Sequence, residues 1–266
     1  MRLPGGLVRD CGREREATAK ELDGHLELVL APTPGSGSSL PARVTRALAA
    51  WLASFGGAPA GHAQVDELCV ADRQFLMHRL AEALGLGRPW ITARCERCSA
   101  PFDFEIAFAD LPVREAGPTF PFAEVETSAG TLRARVPSGA DQAAVTGASS
   151  AAEGARALLA RCLLDGAAAR VDALTADDLQ RIDEALEAVS PAVVTRVEAA
   201  CPACDQPQVV PIDPYLALRH VAAPVLDDVH RIASVYHWAE RDILALERAR
   251  RHFYLERIDR GRGLVS

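Results

Sequence analysis

The chain has 266 residues, of which 49% are hydrophobic and 24% charged, with a formal net charge of −7. That length suits one large domain or two smaller ones, and the composition is that of a globular protein. The acidic balance argues against a general nucleic-acid binder. No apolar run is long enough to span a membrane, and the start, Met1-Arg-Leu-Pro-Gly-Gly-Leu7, lacks the apolar core of a signal peptide.

In chain order, residues 1–31 read as a small β element ending in the apolar run Leu26–Ala31, and residues 32–41 as a Pro/Gly/Ser loop. Val44, Leu48, Trp51, Leu52 and Phe55 recur at helical spacing, which predicts a helix over 41–55 stopped by Gly56-Gly57. A second helix is predicted from Val70 to Leu84, with Leu76, Leu80, Ala83 and Leu84 on its apolar face and Gly85 and Gly87 closing it. Residues 119–136 read as a hairpin around Ser128-Ala-Gly130. The loop Pro137–Gln142 leads to helices at 140–150 and 152–164. Another helix over 175–189 starts at Thr175 as N-cap, with Asp177 and Asp178 in its first turn. Residues 214–235 and 238–259 form two amphipathic helical stretches. In the second, Ile243, Leu244, Leu246, Tyr254, Leu255 and Ile258 share an apolar side, and Arg248, Arg250, Arg251 and Arg257 are expected mostly in solvent.

Two Cys-x-x-Cys pairs carry most of the information: Cys95-Glu-Arg-Cys98 and Cys201-Pro-Ala-Cys204. Each is preceded by a short β-rich run (Trp90–Arg94, Val197–Ala200) and followed by another (Phe102–Phe108, Gln208–Ile212). Strand, tight turn, strand is half of a zinc ribbon, and two halves supply four thiolates for one tetrahedral structural Zn²⁺. A thioredoxin-like redox pair should precede a helix, whose N-terminus lowers the thiol pKa, and neither pair does. A reducing, cytoplasmic setting is expected, in which paired cysteines read as metal ligands before disulfides. Of the remaining cysteines, Cys69 and Cys162 sit in apolar helical runs and read as buried small hydrophobes, and Cys11 has no partner pattern.

The two pairs also mark an internal repeat. Cys95 to Cys201 and Cys98 to Cys204 are both 106 residues apart. The same shift superposes Asp72 on Asp178, Gln74 on Gln180, Leu76 on Ile182, Leu80 on Leu186, Pro101 on Pro207 and Ile106 on Ile212. A helix followed by a ribbon half occurs twice, which predicts two halves packed around one metal.

Other features read more plainly. His230 and His237, seven apart, are read as packing or surface residues rather than as ligands. Tyr236-His237-Trp238 is a candidate partner-binding cluster, with a core anchor for the last helix as the favoured reading. The C-terminal arginines, Arg248 to Arg262, alternate with Glu240, Asp242, Glu247, Glu256 and Asp259, the pattern of a helix face laced with ion pairs. There is no phosphate-binding Gly loop, Gly-x-Ser-x-Gly or His-Glu-x-x-His, and no catalytic set assembles from the scattered carboxylates.

Several segments in order resemble a family of phage baseplate proteins related to the T-even phage baseplate hub assembly chaperones, also found in gene clusters for phage-tail-like contractile injection systems. They are Leu3-Pro-Gly-Gly-Leu7, Leu40-Pro-Ala-Arg-Val44, Val70-Ala-Asp-Arg-Gln-Phe-Leu76, Arg135-Val-Pro-Ser-Gly-Ala-Asp-Gln142, Arg161-Cys-Leu-Leu-Asp-Gly166 and Tyr236-His-Trp-Ala-Glu-Arg-Asp-Ile-Leu-Ala-Leu-Glu-Arg-Ala-Arg-Arg251. The last block is close to a Tyr-His-Trp-Ser-Glu-x-x-Ile-Leu-x-Leu-Pro-x-x-Arg-Arg pattern, departing from it at Ala239 and Glu247. The resemblance implies a non-enzymatic role in a contractile tail, with baseplate, hub or tape-measure proteins as partners.

The expected architecture is therefore α+β: mainly helical, with a zinc-ribbon-like β element on Cys95, Cys98, Cys201 and Cys204 and a central and an N-terminal hairpin. Three segments, 1–118, 119–213 and 214–266, are expected to form one compact unit holding one Zn²⁺ per chain. A zinc-ribbon nucleic-acid binder or regulator is the alternative.

Overall fold

A computed structural model describes residues 1–9, 12–30, 37–218, 223–261 and 263. Cys11, residues 32–36 of the anticipated loop and Arg262 lie outside them. The fold is α+β, built mainly of helices with small antiparallel sheets.

The chain opens with strands β1 (Arg2–Arg9) and β2 (Gly12–Ala19). Their register shifts between Arg2 and Leu7. Gly6 sits there at φ +92°, where a Cβ would lie 2.4 Å from the Glu14 carbonyl oxygen, so only glycine fits. The run Leu26–Leu30, expected as strand, is instead in helix α1 (Gly24–Leu30). The Asp23 carboxylate accepts the Leu26 N–H at 2.8 Å and caps the first turn. A short apolar run satisfies either period, and here the buried Glu27 chooses the helix by meeting Arg248 and Arg251.

Helix α2 (Leu40–Trp51) takes in the end of the anticipated loop, with Pro41 in its first turn. It stops short of the expected end at Phe55. Leu52 turns extended (φ −72°, ψ 140°), and β3 (Leu52–Phe55) pairs with the edge of β2. Gly56 and Gly57, at φ +53° and +83°, make the two-residue turn to β4 (Ala58–Pro59). Positive φ at both turn residues matches the twist of a tight hairpin. The sheet order is β1-β2-β3-β4. Helix α3 (His62–Glu67) leads to α4 (Val70–Ala83), placed as the periodicity predicts. Leu76, Met77 and Leu80 of α4, Leu48 and Trp51 of α2, and Leu3 and Leu7 of β1 share the main core.

Next come the first ribbon half, β5 (Trp90–Arg94) and β6 (Pro101–Glu105), the short β7 (Val113–Arg114), and the central hairpin of β8 (Phe122–Thr127) and β9 (Gly130–Arg135). Part of the loop expected at 137–142 is helical. Ser138 and Asp141 form a capping box that starts α5 (Gly139–Ala144). Helix α6 (Ala151–Cys162) and a 3-10 turn (Ala167–Ala173) precede α7 (Ala176–Val189), which Thr175 caps as anticipated. Val125, Leu132, Val171 and Ile182 join the hairpin to α7 in a second core. The short β10 (Ala192–Val193) pairs with β7, and β11 (Arg196–Ala200) and β12 (Pro207–Pro211) form the second ribbon half.

The last stretch, expected as two helices, holds three among its described residues: α8 (Ala223–Tyr236), α9 (Glu240–Leu244) and α10 (Arg248–Gly261), after a 3-10 turn at Leu216–Leu218. They close over Val225, Ile232, Ile243, Leu255 and Ile258. Arg251, expected in solvent, is fully buried and donates to Glu27 and to Asp228, the latter at 3.2 Å. Arg248 also reaches Glu27, at 2.5 Å. These pairs fasten α8 and α10 to α1.

The internal repeat is visible in three dimensions. Helices α4 and α7, strands β5 and β11, and strands β6 and β12 are related at both ends by the same offset as the two cysteine pairs. The third residue of each repeated helix is a buried aspartate that accepts two backbone N–H groups, at least one of them from a hairpin. Asp72 accepts from Gly5 and Gly6, both at 2.7 Å; Asp178 accepts from Ser128 at 2.9 Å and from Thr175 at 3.0 Å. A carboxylate at a helix N-terminus meets free N–H groups and the positive end of the helix dipole. At the N-cap positions, Cys69 donates to Asp72 at 3.4 Å and Thr175 to Asp178 at 2.7 Å. Cys69 and Cys162 are both buried, as anticipated.

Candidate metal centre

Each Cys-x-x-Cys pair lies on the turn of a two-stranded ribbon, and the turns are built alike. The Cys95 N–H donates to the Ala100 carbonyl and the Cys201 N–H to the Gln206 carbonyl, both at 3.0 Å. One residue after each pair the chain turns left-handed, at Ser99 (φ +60°) and Asp205 (φ +58°). Their N–H groups return to the Cys95 and Cys201 carbonyls at 2.9 and 2.8 Å. This tight turn leaves both sulfurs of each pair on one side of the ribbon. Below the turns, the Ile106 N–H meets the Pro89 carbonyl (3.2 Å) and the Ile212 N–H the Thr195 carbonyl (2.8 Å), a second pair of bonds matched by the repeat.

The two turns face each other. The sulfurs of Cys95, Cys98, Cys201 and Cys204 all lie within 4.8 Å of one another. The closest approaches cross between the turns: Cys95 to Cys204 at 3.6 Å and Cys98 to Cys201 at 3.7 Å. A disulfide would need about 2.05 Å. Four thiolates about 2.3 Å from a central ion stand roughly 3.8 Å apart along the edges of their tetrahedron. The spacing fits the second arrangement, so the four cysteines could hold one metal ion. Cys95 and Cys201 are buried, Cys204 is half-buried and Cys98 exposed, so the site is partly shielded from solvent. Phe102 packs against the two buried cysteines.

The protonation of the cluster fits a cation site. The Cys98 backbone N–H, with other donors of the turn, brings the Cys95 thiol down to about 7. At Cys204 the Gln206 N–H also favours the thiolate, but burial and the three neighbouring sulfurs outweigh it and push the thiol up to about 12. Without a cation, the neighbouring sulfurs keep the proton on Cys204. A bound divalent ion removes that hold and is bound in exchange for thiol protons.

One supporting residue was not read from the sequence. Gln208, buried on β12, accepts the Glu96 N–H at 2.9 Å and so ties the second ribbon half to the first turn. Its repeat counterpart is Phe102. A glutamine in a strand carries no signal of that role, because the N–H it meets is 112 residues away in the chain.

Tyr236, His237 and Trp238 belong to a different cluster, at the end of α8. His237 turns left-handed (φ +57°) and closes the helix through the Ala233 carbonyl at 2.9 Å. Trp238 stacks on Tyr236 with centroids 5.2 Å apart, and the Tyr254 ring meets Trp238 edge-on at 4.9 Å. Tyr236 and Tyr254 pack on the core of α8–α10, the geometry of an anchor, while Trp238 stays 37% exposed. His230 and His237 are exposed and take no part in a metal cluster; among the described residues the four cysteines form the only one. Of the C-terminal ion pairs expected from the charge pattern, Arg260–Glu256 forms along α10, while Asp259 pairs instead with Arg231 of α8. No described helix is long and apolar enough to cross a membrane. Comparisons of the chain with protein-family models, with curated proteins and with solved structures found no match.

Proposed function

We propose that this protein is a non-enzymatic component or assembly chaperone of the baseplate of a phage-tail-like contractile system, clipped internally by one structural Zn²⁺. The observation that carries the structural part is the meeting of four thiols from two turns more than 100 residues apart. Four soft thiolates at tetrahedral spacing favour zinc or an iron–sulfur centre, and paired Cys-x-x-Cys ribbons favour zinc. A tetrathiolate ion has no open position for substrate, which supports a scaffold over metal catalysis. Zn²⁺ there supplies charge neutralisation and a cross-link. Cys95 and Cys98 anchor the first half to it, Cys201 and Cys204 the second, and Gln208 holds the facing turns together.

The tail assignment rests on the ordered motifs from Leu3 to Arg251 and on their resemblance to the baseplate family. A rigid, internally clipped body with broad helical faces suits a protein that works by contact. The test is co-expression with the baseplate, hub and tape-measure proteins of a contractile particle, with zinc measured on the purified protein by native mass spectrometry. One zinc per chain and co-purification with a tail protein is the expected result. A protein that carries no metal and stays alone refutes both parts.

A further inference from the structure

The internal repeat shows what is missing from the second half. In the first half, the segment Tyr215–Leu218 packs against both α2 and α4: Ala217 and Leu218 are buried in the main core, and Tyr215 and Leu216 pack at its edge. Arg43 of α2 donates to the Leu218 carbonyl at 3.1 Å. The Phe108 turn that follows the first ribbon half also packs on α4, with its ring stacked on His78. Both ribbon exits thus cover α4.

In the second half, α6 precedes the repeated helix α7 and faces it across an open groove of about 630 Å³. The groove is lined by Ala155, Leu158 and Leu159 of α6 and by Gln180, Ile182 and Leu186 of α7. Ile182, the counterpart of Leu76, is already buried in the second core and floors the groove, whereas Gln180 and Leu186, the counterparts of Gln74 and Leu80, stay exposed and half-buried. Arg156 of α6 and Asp183 of α7 also line it, and among the described residues neither side chain has a hydrogen bond or ion pair. Asp183 replaces Met77, which is fully buried in the first half.

We infer that the α6–α7 groove is a docking site for a short apolar turn or helical segment of a partner protein, one that presents two or three large apolar side chains and one Lys or Arg. The repeat supplies the apolar part of that description. Arg156 is placed to donate to a backbone carbonyl of the guest, as Arg43 does to Leu218. Asp183, with no cation of its own, selects the basic residue. The inference goes beyond the clip and the tail assignment and stands without either.

A synthetic peptide with the sequence of residues 212–220, Ile-Asp-Pro-Tyr-Leu-Ala-Leu-Arg-His, carries this chemistry and serves as the probe. Binding of the fluorescein-labelled peptide to the full chain is read by anisotropy. Wild type should bind with a Kd below about 1 mM, and Ala155→Arg, which fills the groove from an exposed position, should weaken binding about tenfold or more. Asp183→Lys, also at an exposed position, should weaken it in the same direction and covers the case in which the first variant does not fold. No binding by wild type at ~1 mM overturns the proposal. So does equal binding by both variants, which would place the peptide at the α2–α4 site instead. A wild-type dimer that Ala155→Arg converts to monomer also overturns it, by assigning the groove to a second copy of this chain.

Discussion

Replacing Cys201 with serine tests the clip most directly. The nearest cluster cysteines in the chain from opposite halves, Cys98 and Cys201, are 103 residues apart. A cross-link over such a loop removes about 4.7 kcal/mol of chain entropy from the unfolded state at 25 °C. For a domain of this size that is a fall in melting temperature of roughly 10–20 °C. The assay is thermal and urea unfolding of wild type and Cys201→Ser, each with added zinc and with a chelator. Wild type in zinc should be the most stable. Wild type in chelator and the variant under both conditions should group below it, because all three lack the cross-link. The difference belongs to the clip only if it collapses in chelator. A wild type whose stability is indifferent to chelator, or a variant that lies as far below wild type in chelator as it does in zinc, would refute the reasoning and leave the cysteines as packing residues.

Three other perturbations have defined outcomes. The buried His78 has no partner for Nε2, and burial, with Arg79 nearby, holds its pKa down to about 4. The unfolded chain takes up that proton near pH 6.5, so His78 leaves stability intact above pH 6.5 and removes it as the pH falls toward 4. At pH 5 the loss is about 2 kcal/mol, and in urea titrations at pH 7.5 and 5 the variant His78→Phe should lose that part of the slope. Glu27→Gln leaves the fully buried Arg251 with Asp228 as its remaining carboxylate. The cost should be about 3 kcal/mol, with faster amide exchange in α8–α10 than in the central hairpin, and a cost under about 1 kcal/mol would show that the ion network does not hold these helices down. Gln208→Leu removes the acceptor of the Glu96 N–H while keeping the four thiols. Metal should pass to a competing chelator at roughly tenfold lower chelator concentration, and unchanged retention would mean that the facing turns need no such tie.

Local pattern made some of this architecture legible in the residues alone. Helix α4 carries Leu76 and Leu80 on one face between clear stops, and α7 opens on the Thr175 cap with its early aspartates. The hairpin around Ser128-Ala-Gly130 alternates apolar and polar residues, with Ala123, Val125, Leu132 and Ala134 all buried. The four cysteines were legible because Cys-x-x-Cys is a short-range spacing, and one constant offset ties the two pairs into a repeat. The errors fell where a short apolar run suits two conformations. Leu26–Leu30 became a helix through the Asp23 cap and the burial of Glu27, and Leu52–Phe55 became a strand because β2 offered an unpaired edge.

By itself, then, the sequence determined the α+β class, the helix-and-ribbon repeat and the four thiols, because each is written in spacings of a few residues or in one repeated period. Only the tertiary structure decided that the two turns face each other with their sulfurs 3.6 and 3.7 Å apart across the gap. It alone buried Arg251 against Glu27, a partner 224 residues away, and tied Glu96 to Gln208. The same holds for the groove: the repeat shows that α4 and α7 are copies, and only packing shows that Leu80 of the one is buried while its counterpart Leu186 stays half-buried at the groove. Contacts between distant residues are chosen by which surfaces remain to be buried once the local elements have formed, and no short-range pattern encodes that choice.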